Sequence, residues 1–313
     1  MIEMWDSLFS QLNSSIRARL SEGNGNGAFE LMHRELDRVW ANLFVTLRKG
    51  GMACIVVGDA VRKVGNDFAM YSNQSRIVSG CLSAGFTLLP GIIWTKETNK
   101  PNKFMGSGML PPSAYPTLEH EHIIVLRKGG SRIFGSQEEK LRRRSSAFFW
   151  EERNIWFSDQ WTGIKGERQS AGDRSPRGRT ASFPFEIAAR LVNMFSIQGD
   201  NVLDPFLGLG TTSVAAAVCG RNSIGCEVET GLCSLASERF SGNVMARAGH
   251  ASERLRAHTE YVGECLAAGK VFGHTSHVYS VPVTTSQETD MHLPVPASVR
   301  PEGENTYRIS YED

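Results

Sequence analysis

Asn201-Val-Leu-Asp-Pro-Phe-Leu-Gly-Leu-Gly-Thr-Thr212 is the segment that decides the fold. Asn-Val-Leu-Asp reads as a short strand. Gly208 and Gly210 mark a tight turn, and Thr-Thr-Ser-Val-Ala-Ala-Ala-Val-Cys-Gly reads as a helix starting at Thr211 or Thr212. Ser-Ile-Gly-Cys-Glu, 223–227, supplies a second strand. Strand, turn, helix and strand in this order form a βαβ unit, whose strands run parallel.

The unit has the chemistry of a ligand site. Glycines at 208 and 210 let the backbone turn and come close to a ligand. The helix start leaves unpaired N–H groups. Asp204 sets a carboxylate at the end of the first strand. Glu227, ending the second strand, is placed to accept ribose hydroxyls. A bare βα turn without ligand is the plainer reading, and a dinucleotide site is the rival one. The spacing is G-x-G-T-T, however, not G-x-G-x-x-G. An anion at Asp204 would repel a pyrophosphate but suits the amino and ammonium groups of S-adenosylmethionine.

Upstream, residues 28–47 carry Met32, Leu36, Val39, Trp40, Leu43 and Leu47 on one helical stripe, and Lys49-Gly50-Gly51 ends that helix. MACIVVGD, 52–59, reads as a strand buried on both faces. A helix over 73–84 and strands over 85–94 and 122–128 follow. The Gly/Pro-rich stretch 99–118 between those strands is too irregular for regular structure. Asp59, at the end of its strand, is a ligand-side carboxylate or a helix cap. Lys103–Gly108 reads as a mobile loop or a linker.

From Arg127 to Arg179 the chain holds 13 Lys/Arg against 7 Asp/Glu, a local excess of +6. Within it lie Phe148, Phe149, Trp150, Trp156, Phe157 and Trp161, either packed in a small core or set against bases. Arg142-Arg143-Arg144 is a solvated face or a phosphate contact. Residues 165–180 read as a basic loop carrying Lys165 and Arg168. Order returns with an amphipathic helix over 183–195, Pro184 near its start. Residues 230–268 read as helical, and the tail after about 280 as an edge strand with loops or a partly disordered end.

The 313 residues average out to a net charge of +1, with 41% hydrophobic and 21% charged residues, ordinary for a globular chain. No run of about 18 apolar residues is present, so no membrane partner is expected. No leader pattern stands at the N-terminus, so a cytoplasmic location is expected. The six cysteines form no CxxC pair and read as reduced thiols, Cys54 and Cys226 as core residues. In Glu119-His120-Glu121-His122 strand alternation sends the histidines to one face and the glutamates to the other. No third ligand is evident, and no metal site is expected.

DPFLGLGTT followed by GRNSIGCEVE resembles the cofactor motif and the next acidic strand of the DNA amino-methyltransferases, which methylate N4 of cytosine or N6 of adenine. The likeness covers roughly residues 1–245 and takes in GGMACIVVGD, GFTLLPGIIWTK, EHEHIIVLRKG and FPFEIAARLVNMFS. It implies an α/β fold: a doubly wound, mostly parallel sheet with one antiparallel strand and an inserted DNA-recognition region. It implies S-adenosylmethionine as cofactor, held by Asp204, Pro205, Phe206, Gly208, Gly210, Thr211, Thr212 and Glu227, with Phe183 and Pro184 closing over it. It implies double-stranded DNA as partner, contacted through Arg142, Arg143, Arg144, Lys165 and Arg168, and a cognate restriction endonuclease acting on the same site. His120 and Glu121 resemble a feature lining the active cleft. The order of parts is similar to the permuted beta arrangement of the family. Residues 1–128 then form the catalytic half, 129–182 the target-recognition region, 183–270 the cofactor-binding half and 271–313 a tail.

The family's catalytic tetrapeptide, Asp/Asn/Ser-Pro-Pro-aromatic, has no match here. The single Pro-Pro pair, Pro111-Pro112, is followed by Ser113 and Ala114. No catalytic residue is therefore assigned. The family's tetrapeptide precedes a helix that MIEMWDSLF resembles, so Met1 falls just beyond the expected motif. Two readings stand: an enzyme whose first strand precedes Met1, or a shortened, inactive remnant that binds DNA or cofactor.

Overall fold

The computed structural model describes residues 13–96, 105–164 and 184–312. They divide into two units. One comprises 13–96, 105–133 and 159–164, the other 134–158 and 184–312.

The first unit opens with helices α1 (Asn13–Ser21) and α2 (Gly25–Thr46). Met32, Leu36 and Trp40 of the expected stripe are fully buried, with Val39, Leu43 and Leu47 packed around them. Strand β1 (Met52–Val57) leads into a hairpin, β2 (Ala60–Val64) and β3 (Asp67–Tyr71). Then come α3 (Asn73–Ser83), β4 (Phe86–Thr95), the two-residue strands β5 (Met105–Gly106) and β6 (Ala114–Tyr115), and β7 (His120–Lys128). Strand β8 (Gln160–Trp161) belongs to this unit too. The sheet order is β1-β7-β4-β8. β7 runs against both β1 and β4, and β8 runs with β4. β7 is therefore the antiparallel strand in a set otherwise of one direction.

The ladder between β4 and β7 shifts register between Leu89 and Ile92, where Pro90 and Gly91 intervene. Pro90 has no N–H to give the ladder. A Cβ on Gly91 would lie 2.8 Å from the Ile123 carbonyl oxygen, so glycine is needed there.

Three expectations are corrected in this unit. β1 is only half-buried apart from Val57, because among the described residues its single ladder is to β7. The β2–β3 hairpin falls where no element was expected. Its signal was the two-residue loop Gly65-Asn66 between short strand-forming runs, with Gly65 at φ +60°. The Gly/Pro-rich stretch also contains the β5–β6 ladder.

The second unit begins with α4 (Gln137–Ser145) and α5 (Trp150–Trp156). Ser136 and Glu139 form a reciprocal capping box at the start of α4. α6 (Phe185–Phe195) follows, with β9 (Asn201–Asp204), α7 (Thr211–Val218) and β10 (Asn222–Gly225) as the expected βαβ unit. β9 and β10 pair in parallel. α8 (Thr230–Ala246) and α9 (His250–Ala267) divide the stretch read as one helical region. The C-terminal segment is ordered: β11 (His274–Thr275) with β12 (Pro282–Val283), and β13 (Pro296–Gly303) with β14 (Thr306–Tyr311). Val283, Met291 and Leu293 pack in a core with Phe149 and Ala251. That apolar burial orders a segment whose composition had suggested loops. No helix among the described residues is long and apolar enough to cross a membrane.

Candidate cofactor and nucleic-acid sites

The chain from β9 to β10 builds one closed loop. The Cys226 N–H donates to the Asp204 carbonyl at 2.8 Å, and the Leu207 N–H to the Cys226 carbonyl at 2.9 Å. Gly208 and Gly210 hold φ +55° and +80°, the left-handed region that favours glycine. Gly210 is the residue from which α7 starts, and Thr211 and Thr212 are its first turn. A side chain at Gly225 would collide with that of Leu207, so the glycine lets the turn lie on β10. Sequence and structure thus bring Asp204, Pro205, Phe206, Gly208, Gly210, Thr211, Thr212 and Glu227 to one place.

Two carboxylates frame it. Asp204 Oδ1 accepts the Phe206 N–H at 2.9 Å, an Asx-type closure of the turn, and Oδ2 has no protein partner among the described residues. Glu227 does what the sequence did not indicate. Its Oε2 accepts the Gly208 N–H at 2.9 Å and its Oε1 accepts the Glu229 N–H at 2.9 Å. The carboxylate staples the glycine turn to the start of α8. A carboxylate has about four lone-pair sites, so acceptor capacity remains for hydroxyls. Phe206 is 47% exposed, an aromatic face held beside the turn. The donor set fits S-adenosylmethionine: an anion for an ammonium, acceptors for a ribose, and glycines in the left-handed conformation that shapes the turn.

Pro184 is buried and immediately precedes α6. Phe183, Lys165 and Arg168 lie outside the described residues. Cys226, expected in the core, is exposed because β10 is open to solvent along Ile224, Gly225 and Cys226. Cys54 is half-buried, and burial pushes its thiol up to about 12.

Arg142, Arg143 and Arg144 stand in the last turn of α4 and engage neighbours within the unit. Arg142 lies 3.9 Å from Glu138, Arg144 pairs with Asp290 at 3.1 Å, and the Arg143 guanidinium sits 4.7 Å from the Phe134 ring centre. Their outer faces stay exposed, with 65% of the Arg144 side chain open to solvent. The aromatic segment is mostly packed. Phe149, Trp156 and Trp161 are buried, whereas Trp150 and Phe157 are partly exposed. Packing is thus the outcome for three of its rings, and Trp161 is in the first unit while the others are in the second.

In the first unit, Ser72 is the N-cap of α3, and Asp59 assists it from just beyond the end of β1: its Oδ1 accepts the Gln74 N–H at 3.0 Å, the Ser72 hydroxyl donates to Oδ2 at 3.3 Å, and His122 lies 4.0 Å from Oδ2. The His120 and His122 rings share a face, their centres 4.9 Å apart. Glu121 points the other way, buried and paired with Lys96, which also lies 4.8 Å from the centre of the Trp94 ring. No cluster of metal-ligating side chains occurs among the described residues. Pro111 and Pro112 sit in the exposed turn between β5 and β6, not at a strand end.

Comparison with known proteins places this arrangement. The sequence profile of a DNA methylase family, specific for N6 and N4 positions, matches residues 16–238. A Type II methyltransferase of Methanothermobacter thermautotrophicus, M.MthZI, is 45% identical over 314 residues, covering all of this chain and 87% of the relative. M.MjaI of Methanocaldococcus jannaschii is 45% identical over 77% of this chain and 81% of its own length. Among solved structures, a protein of Thermus thermophilus, described as a DNA modification methylase and complexed with S-adenosyl-L-methionine, superposes with a TM-score of 0.57 at 36% identity, covering 69% of this chain and 79% of that one. The cytosine-N4-specific PvuII DNA methyltransferase shares the fold, with a TM-score of 0.51 at 16% identity over 69% of this chain and 73% of that one. With an α/β architecture of this type, a profile match over most of its length and 45% identity to a Type II methyltransferase from end to end, the chain belongs to the N6/N4 DNA methylase family and is a DNA methyltransferase.

Proposed function

We propose that this protein binds S-adenosylmethionine in the β9–α7–β10 loop and transfers its methyl group to the exocyclic amino nitrogen of cytosine (N4) or adenine (N6) in duplex DNA. The observation that carries the reading is the Asp204 carboxylate, with one oxygen unengaged among the described residues, beside the glycine turn that Glu227 staples. Bound there, the cofactor supplies an electrophilic sulfonium methyl. Asp204 holds the methionine ammonium, and Glu227 adds ribose hydroxyls to its two N–H partners. Pro205, Phe206, Thr211 and Thr212 line the adenosine, Gly208 and Gly210 keep the backbone clear, and Phe183 and Pro184 close over it. Arg142, Arg143, Arg144, Lys165 and Arg168 contact phosphates. That charge attraction fixes the duplex without reading its sequence. The Type II relatives support pairing with a restriction endonuclease that cuts the same site.

A second reading is a protein that binds cofactor and DNA without transfer. It needs only the cofactor loop around Asp204 and Glu227 and the three arginines that end α4. Labelled S-adenosylmethionine and genomic DNA separate the two. Label appearing as N4-methylcytosine or N6-methyladenine at one recurrent sequence supports transfer and names the base. Cofactor binding without label supports the second reading. Binding of neither contradicts both.

A further inference from the structure

Helix α5, within the basic region read above as DNA-contacting, is held by a buried histidine whose two ring nitrogens both face acceptors. His258 of α9 is fully buried. Its Nδ1 lies 2.7 Å from Glu151 Oε1 of α5, and its Nε2 lies 2.9 Å from the Pro282 carbonyl oxygen of β12. The Phe149 ring stacks on it, centres 3.8 Å apart and planes 7° from parallel. A carbonyl oxygen only accepts, and an ionised carboxylate only accepts, so a neutral imidazole would satisfy one partner and leave the other facing a lone pair. The other carboxylate oxygen, Glu151 Oε2, is buried without a partner, so nothing else among the described residues neutralises that oxygen. The site therefore holds one more proton than a neutral ring and a carboxylate would bring.

The charged and titratable groups around it agree. From α5, Glu151 faces the ring, while Glu152 is taken by Arg254 of α9 in a two-pronged pair at 2.6 and 2.7 Å. From the C-terminal segment comes Glu288, which accepts the Trp150 N–H and both the N–H and hydroxyl of Thr285. From α9 itself comes Tyr261, with Lys270 hydrogen-bonded to its hydroxyl at 3.1 Å. Burial alone would lower the His258 pKa, but the Glu151 and Pro282 hydrogen bonds and the nearby carboxylates outweigh it and raise it.

We propose that His258 is a positioning residue: as an imidazolium it clamps α5 to α9 and to the C-terminal segment, and the protein's grip on duplex DNA depends on that proton. Fully buried, it acts through Glu151. The sign follows from the raised pKa. The clamp is complete below the ordinary histidine range and is lost as pH rises through the folded-state value. The proposal rests on the reading of this region as DNA-contacting, and the test keeps the two apart.

The probe is a fluorescein-labelled duplex of mixed sequence, its binding followed by anisotropy from pH 6.5, the ordinary histidine value, up to about 9.5. Imidazole NMR reports the ring directly. Both His258 nitrogens are expected to carry protons at pH 6.5, the ordinary histidine value, and duplex affinity to fall at least fivefold as that signal titrates upward of it. His258→Gln is expected to bind the duplex weakly at every pH, with S-adenosylmethionine affinity by calorimetry unchanged. Glu151→Gln removes the charge that holds the proton and is expected to move the titration downward. A ring mostly neutral at pH 6.5, or duplex affinity that ignores its titration, overturns the proposal. A parallel loss of cofactor affinity in His258→Gln also overturns it, because the role would then be general folding. Duplex affinity unchanged in Arg142→Ala/Arg143→Ala/Arg144→Ala overturns the underlying DNA reading instead, whatever His258 does.

Discussion

At the scale of single residues, Glu227 and Gly210 carry the most informative geometry. The sequence reads Glu227 as a ribose acceptor; the structure shows its carboxylate bonded to the N–H groups of Gly208 and Glu229. Glu227→Gln keeps the shape but turns an NH2 toward an N–H donor at one of these positions. The expected outcome is S-adenosylmethionine affinity lowered about 10- to 100-fold, on the order of 1.4–3 kcal/mol, measured by calorimetry. At Gly210, the nearest heavy atoms to an added Cβ lie 3.7 and 3.8 Å away, so there is room and the cost is backbone conformation. Gly210→Ala is therefore expected to lose roughly 1–2 kcal/mol in urea unfolding. The positions of these residues were legible because glycines and acids at fixed offsets punctuate a strand–turn–helix. The second role of Glu227 was not, since it depends on backbone N–H groups that no side-chain pattern encodes.

At the scale of elements, α2, β4 and β7 and the β9–α7–β10 unit followed from periodicity and turn chemistry, which are local signals. The β2–β3 hairpin and α4 were missed although Gly65-Asn66 and the Ser136/Glu139 box marked them. α4 buries none of its residues, so no apolar periodicity marks it. The joining of α5 to α9 and to the C-terminal segment has no local signature. Glu151 meets His258 across 107 positions and Glu152 meets Arg254 across 102. The Arg254 pair is deeply buried, and removing one partner strands a charge. Arg254→Ala is expected to cost about 3–5 kcal/mol in denaturant unfolding, more than a double Arg254→Met/Glu152→Leu replacement. Equal losses in the two would contradict a charge-pair origin for the effect.

At the scale of the molecule, the net charge of +1 averages the basic stretch 127–179 and an acidic end, residues 281–313 with six acidic against two basic residues, and buried histidines shape the pH response. Burial drives the pKa of His33 down to about 4, with the Asn73 hydrogen bond opposing it in part. The unfolded chain takes up a proton near 6.5 that the folded form refuses, so stability falls as pH drops from about 6.5 toward 4, by up to about 3 kcal/mol. His250 shifts downward as well, chiefly by burial, and adds to the acid limb, whereas the raised His258 sets an alkaline one. Unfolding midpoints in urea between pH 4 and 9.5 are expected to peak near neutrality, and His33→Asn to flatten the acid side. An acid limb unchanged in that variant would remove His33 as its cause. Composition revealed neither limb, because both arise from which histidines are buried against which partners.

The central claim is that the β9–α7–β10 loop holds S-adenosylmethionine through Asp204. Calorimetric titration of the cofactor into the wild-type protein and into Asp204→Ala tests it most directly. The expected result is one site per chain in the wild type and affinity weakened at least 100-fold, about 2.7 kcal/mol, in the variant, with unfolding stability little changed. Equal affinity in the two proteins would contradict it.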